Sequence, residues 1–203
     1  MPTAHTFRLP RLLAAGAALM FGTAVAAVAC WWDDYHVRRL SVVEEGVLYR
    51  SAQPEGDDWT ILRDKYGIRT VISLRADKPD KPWAVAERNS LQEHGMRYIL
   101  MPIGPERITN DQLRQLVEIT SDPQYQPVLV HCELGKSRTG VVVAAYRIVV
   151  QGWSYAAAIA DAQRYKEHME PGYDAYLKRL ARGGGWRPPE RPAGLHSGEA
   201  VSW

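Results

Sequence analysis

The stretch HCELGKSRTG, residues 131–140, joins two apolar runs, PVLVHC at 127–132 and GVVVAAYRIVV at 140–150. The first has no polar alternation before His131, the pattern of a strand covered on both faces. The second is apolar almost all round, as in a helix buried at the centre of a domain. A tight turn from such a strand into such a helix converges backbone N–H groups on the helix N-terminus, which suits an anion. The spacing predicts a phosphate-sized nest over residues 132–138, with Gly135 allowing the backbone to curl where a Cβ would obstruct it.

The side chains of this loop carry chemistry. Arg138 supplies a planar fork for two phosphate oxygens, which a lysine does not copy. Glu133, Leu134, Gly135, Lys136 and Ser137 complete the substrate-binding cradle. A free thiol titrates near pH ~8.5, but a helix N-terminus and neighbouring cations pull it down, so Cys132 is expected as a thiolate. Held against a bound phosphate, it is a nucleophile aimed at phosphorus. Thr139 is placed to donate to the sulfur and help it depart, and His131 to order the loop through its ring N–H.

Outward from the loop, strands alternate with helices. GVLYRSAQP reads as a strand over Val47–Arg50 and RTVISL as a second, with MRYILMPI a third. Helices are expected in EGDDWTILRDKYG, closed by Gly67, and in PWAVAERNSLQEHG, closed by Gly95. Thr109 and Gln112 have capping-box spacing, so a helix begins near Asn110. SYAAAIADAQRYKEHM and YDAYLKRLAR add two more after the central one. The expected fold is α/β, a three-layer sandwich whose mostly parallel sheet of four to five strands is flanked by helices. The domain is placed at 45–182, with a linker at 30–44 and a mobile Gly- and Pro-rich tail at 183–203.

The 203 residues, 46% of them hydrophobic, suffice for one domain with a real core. The first 29 contribute Arg8 and Arg11 and no acids, leaving 23 basic and 23 acidic residues, so no nucleic-acid surface is indicated. Those 29 residues read as an export signal: a basic start, 18 uncharged Ala-rich residues at 12–29, and AVA before Cys30. An uncleaved membrane span and acylation of Cys30 are the alternatives. Export to the periplasm or cell envelope follows, with membrane association through the N-terminal segment if it is retained. With only Cys30 and Cys132 in the chain, a structural disulfide framework is not indicated. No zinc-like spacing occurs, and a nucleotide-binding Walker loop fails because Val130 stands where it needs glycine.

His131, Cys132, Arg138 and Thr139 together resemble the HCxxxxxR(S/T) signature of cysteine-based protein tyrosine phosphatases. LYRSAQP, TVISLR and VVAAYRIVVQGWS further resemble bacterial dual-specificity-like members, exported ones among them. The resemblance runs over about residues 45–170. It implies hydrolysis of phosphomonoesters in two steps through a cysteinyl-phosphate, with no metal or other cofactor. A rhodanese-like sulfur transferase also uses a loop cysteine, but the resemblance places Arg138 for phosphate.

One carboxyl on a nearby loop must protonate the leaving oxygen and then activate water. The resemblance puts it in MPIGPERITND, where Glu106 aligns best and replaces the usual aspartate. Asp111, which a helix first turn also explains, and Asp77 in RADKPD compete. Arg50 is expected in a salt bridge under the loop, and Lys166 and His168 on a solvated helix face. The expected partner is a phosphorylated protein, phosphotyrosine foremost, with phosphoserine or phosphothreonine in a shallow pocket. A phosphorylated small molecule is the alternative, an inositol phosphate or phospholipid headgroup, favoured by Lys136 and opposed by Glu133. A phosphate-binding pseudophosphatase without turnover is a third reading.

Overall fold

The computed structural model describes residues 37–105 and 107–187. Among them, five strands, β1 (Ser41–Glu44), β2 (Leu48–Ser51), β3 (Thr70–Ser73), β4 (Arg97–Leu100) and β5 (Val128–His131), form one sheet ordered β1-β2-β5-β3-β4. The last four run parallel, and β1 lies antiparallel on the edge. The described helices are α1 (Asp58–Asp64), α2 (Pro82–Glu93), α3 (Asn110–Ser121), α4 (Ser137–Val149), α5 (Tyr155–Gln163) and α6 (Pro171–Ala181).

Side-chain alternation along β5 divides the core into two layers. Val128, Val130 and Cys132 join the larger cluster with Leu113 and Leu116 of α3, Val141 to Tyr146 of α4 and Leu177 of α6. Leu129 joins the smaller one with Trp59 and Leu62 of α1 and Leu91 of α2. The result is the expected α/β sandwich. In α4 every residue from Thr139 to Ile148 is buried. Valines are mediocre helix formers, so this helix is held by burial, at about 1.5–3 kcal/mol for each large apolar side chain. The α3 capping box forms as its spacing indicates: Gln112 N–H donates to Thr109 Oγ1 at 3.2 Å, and Thr109 N–H to Gln112 Oε1 at 2.9 Å.

Two boundaries differ from the sequence reading. The linker assigned to 30–44 contains β1, which pairs with β2 and is tied to the helical layer by Tyr146 Oη donating to Glu44 at 2.8 Å. Its four residues, SVVE, leave Val42 exposed and carry a bulge, so no alternation is long enough to read. At the other end, Trp186 packs against the larger core cluster, so the first tail residues are part of the fold. The leader at 1–29, Cys30 and the rest of the tail lie outside the described residues. Among the described residues no helix is long and apolar enough to cross a membrane.

Candidate active site

β5 stops at His131, which lies level with Ser51 of β2 and Ser73 of β3. The chain then turns through residues 132–136 and enters α4 at Ser137. Donors from outside the loop take its carbonyls. Gln53 N–H reaches Glu133 O at 3.2 Å, Arg39 Nη1 reaches Leu134 O at 3.2 Å, and Arg50 Nη2 reaches Gly135 O at 2.8 Å. Because each peptide's N–H points opposite to its C=O, the N–H groups of Leu134, Gly135 and Lys136 are turned to the inner side of the curve. Gly135 has φ +63°, and a Cβ there would lie 2.6 Å from Ala52 N and Ser51 O. The loop is therefore pressed onto the end of β2 as closely as a glycine permits.

Cys132, 3% exposed, sits in a cleft of about 990 Å³ that Leu134, Lys136, Ser137 and Arg138 also line. Arg138 donates from Nη1 to Leu74 O at 3.4 Å, and its Nη2 lies 3.9 Å from Glu133 Oε2. Glu133 also contacts Arg75 at 3.5 Å. Arg75 stacks on Trp83 at 3.5 Å and donates to Gln53 Oε1 at 3.2 Å. Burial pulls Arg75 below the ordinary guanidinium range, opposed by the Glu133 and Glu87 charges. Burial also lowers Arg50, countered by Tyr165 and Asp161. Arg50 makes no salt bridge among the described contacts; it holds the Gly135 carbonyl and lies 3.6 Å over the Tyr165 ring. Thr139 is fully buried and its Oγ1 has no hydrogen-bond partner, so the hydroxyl is uncommitted.

The opposite wall comes from the segment before α6. Lys166, expected on a solvated face, instead lines the cleft, donating from Nζ to Ser137 Oγ at 3.0 Å and pairing with Glu170. Burial raises the Glu170 carboxyl, but its bonds with Lys166 and Ser137 outweigh this and hold it below the usual carboxylate range. Tyr173 Oη donates to Gly104 O at 2.6 Å, fastening the loop after β4 to α6.

Glu106 lies outside the described residues, although Gly104 and Pro105 before it line the cleft. Asp111 is in the first turn of α3, highly exposed and 3.2 Å from Arg114, and does not line the cleft. Asp77 is exposed, next to Ala76 at the rim. The sequence reading missed Arg75, Glu170 and Glu87. Arg75 was within reach, following β3 as the loop cysteine follows β5; the other two become visible only through packing.

The parallel sheet, the Cys132-to-Arg138 loop at its centre and the Val-rich helix behind it define a cysteine-phosphatase fold. Residues 24–175 match the family model described as a DSP-PTPase phosphatase fused to NAD+ kinase, and the chain belongs to that family of dual-specificity-type protein tyrosine phosphatases. It is 35% identical over 118 residues to the dual specificity protein phosphatase TpbA of Pseudomonas aeruginosa strain UCBPP-PA14, covering 58% of this chain and 50% of that one. The chain thus spans about half the length of that curated relative. The crystal structure of P. aeruginosa TpbA is 29% identical with a TM-score of 0.56, covering 71% of this chain and 89% of that chain. The core catalytic domain of the PP-IP phosphatase SIW14 from S. cerevisiae, in complex with citrate, shares the fold: TM-score 0.61, 21% identity, 72% and 90% covered.

Proposed function

We propose that this chain hydrolyses phosphomonoesters, with phosphotyrosine in proteins the first substrate class and phosphoserine or phosphothreonine the second. The observation that carries this reading is the position of Cys132, 3% exposed in the same cleft as Arg138. A sulfur so little exposed is reached most readily by a phosphate on a long stalk. Pro102, Ile103, Pro105, Leu134 and Tyr173 line the way in and suit an aromatic ring better than a polyol.

In the proposed cycle, Cys132 Sγ attacks phosphorus as the bond to the ester oxygen breaks. The leaving oxygen takes a proton, assigned to Glu106, and the phosphoryl stays in the fork of Arg138. Water then attacks phosphorus, gives its proton to the same carboxylate, and releases phosphate and the thiolate, with Thr139 donating to the departing sulfur.

Aryl phosphate hydrolysis with EDTA present tests the reading, because a phenolate leaves with little help from the acid. Wild type is expected to turn over, Cys132→Ser not at all, and Glu106→Gln with a weakened pH dependence. A wild type that binds phosphopeptide and does not turn over overturns the hydrolase reading in favour of a phosphate-recognition module.

Lys136 and Lys166 support a second reading, a phosphorylated small molecule such as an inositol phosphate or lipid headgroup, since both cations line the cleft. Glu133 and Glu170 on the same walls oppose it. Competition between a phosphotyrosine peptide and inositol polyphosphates ranks the two. The leader-like residues 1–29 support export to the cell envelope, which fractionation of the tagged full chain tests.

A further inference from the structure

Glu87 lies on the face of α2 that also buries Ala84 and Leu91, where the helical period calls for an apolar side chain. Its carboxylate is 0% exposed and 2.7 Å from His131 Nε2, which is equally buried. Neither oxygen has an aligned hydrogen bond, so this charge contact is what compensates the burial. An ionised carboxylate so placed is strongly disfavoured unless a cation answers it. His131 Nδ1 faces another acceptor, the carbonyl of Cys132, at 3.4 Å. With acceptors opposite both ring nitrogens, the arrangement matches a ring carrying two N–H groups.

His131 and Cys132 are neighbours, yet strand alternation sends them to opposite sides of the sheet. Leu129 and His131 face the α1–α2 layer, while Val128, Val130 and Cys132 face the α3–α4 layer. Glu87 therefore cannot touch anything bound in the cleft. We propose that Glu87 is a positioning residue: it holds His131 as a cation directly behind Cys132, and this charge helps keep the sulfur nucleophilic. The pair is a dipole with its positive end nearest Cys132. Removing the carboxylate leaves a neutral ring and withdraws that positive end. The inference rests on the cysteine-nucleophile reading above.

Other charged or titratable groups surround the two residues. Arg50 from β2, Arg75 after β3 and Arg138 in the loop act on Cys132 or its neighbours, with Glu133 opposing them. Tyr98 of β4 faces Glu87; burial raises its phenol and the Glu87 charge adds to this. Arg75 also feels the Glu87 charge, so a shift is attributed to the pair only where it disappears in the His131→Asn background.

The test is the pH profile of Cys132 alkylation by iodoacetamide in the full chain, for wild type, Glu87→Gln, His131→Asn and the double variant. Glu87→Gln is expected to move the profile to higher pH and slow alkylation at pH 6 about tenfold. In the His131→Asn background the same change is expected to have no further effect, since Glu87 acts through the ring. An unchanged profile in a folded Glu87→Gln, or an equal loss in both backgrounds, overturns the proposal. If Glu87→Gln does not fold, 15N NMR of the wild-type imidazole decides: two protonated nitrogens support the pair, and one bare nitrogen sinks it. Alkylation needs no substrate, so it reads the role of Glu87 separately from turnover, while wild-type activity on aryl phosphate reads the hydrolase.

Discussion

Arg50 Nη2 donates to the carbonyl of Gly135 at 2.8 Å, joining β2 to the loop between β5 and α4 across 85 positions of sequence. The guanidinium is buried, stacked on Tyr165, and holds a backbone group in place. Replacing Arg50 by an apolar side chain removes the donor to a buried carbonyl, which costs about 1–3 kcal/mol when nothing replaces it. Arg50→Met is therefore expected to lose about 1–3 kcal/mol of stability. The untethered Gly135 peptide is expected to lower aryl phosphate turnover at least about tenfold, as loss of an oriented donor does. Urea melts and kcat on the same preparation check both halves.

Gly135→Ala attacks the same contact from the other side. A φ of +63° costs an L-residue about 1–2 kcal/mol, and the new methyl meets backbone 2.6 Å away, which cannot rotate aside. The variant should melt lower and lose more than about a hundredfold in activity through displacement of the loop. An active Gly135→Ala would show that the loop does not need this seat.

Glu133 shares its carboxylate between Arg75 and Arg138, at 3.5 and 3.9 Å. On the proposed function it competes with phosphate for the Arg138 fork. Glu133→Gln is expected to tighten inhibition by inorganic phosphate about two- to fivefold, since an exposed charge pair is worth up to about 1 kcal/mol. The gain should shrink at 0.5 M salt. Phosphate inhibition constants at two ionic strengths test this.

The pH dependence of Glu170 has a definite sign. Its carboxyl is held below the ordinary value of 4.5, against burial, by Lys166 and Ser137. A group lowered on folding stabilises fully above its unfolded pKa and loses that contribution as pH falls through the folded value. The melting difference between wild type and Glu170→Gln should thus be constant above pH 4.5 and shrink below it. Thermal melts from pH 7 to pH 3 follow it.

Away from the cleft, Arg147 and Asp161 pair at 2.8 Å with about a tenth of each side chain exposed, and Trp153 stacks on the guanidinium at 4.1 Å. Asp161→Ala leaves a mostly buried cation on α4 unanswered, which costs about 3 kcal/mol. Activity of the fraction still folded should be close to wild type, in contrast to Arg50→Met.

Legibility in the sequence followed the range of the interactions. The loop, its flanking strand and helix, and the Thr109–Gln112 box are written in consecutive residues, so composition and spacing reach them. β1 was hidden because SVVE is stabilised by pairing with β2, by a bond to Tyr146 on α4 and by little of its own pattern. Lys166 looked solvated because its partner on the loop, Ser137, is 29 residues away. Glu87 carries no signal of its own in the sequence, because its partner His131 lies 44 residues away and meets it only through packing. Glu106 is assigned by the family resemblance, which a single sequence does not replace with geometry, and the Glu106→Gln arm tests it.

All four parallel strands end at the same edge of the sheet, so the chain beyond Ser51, Ser73, Leu100 and His131 gathers on one rim with the cleft. The turns at Gly67 and Gly95 lie just before β3 and β4, on the far rim, and both are exposed; their φ of +64° and +65° strains any side chain, so attachment belongs on neighbouring residues. Among the described residues that far rim lies away from the cleft. A fluorophore, a surface tether or a fused module placed there would leave the substrate approach open, so the molecule can be immobilised or wired to a sensor by its back.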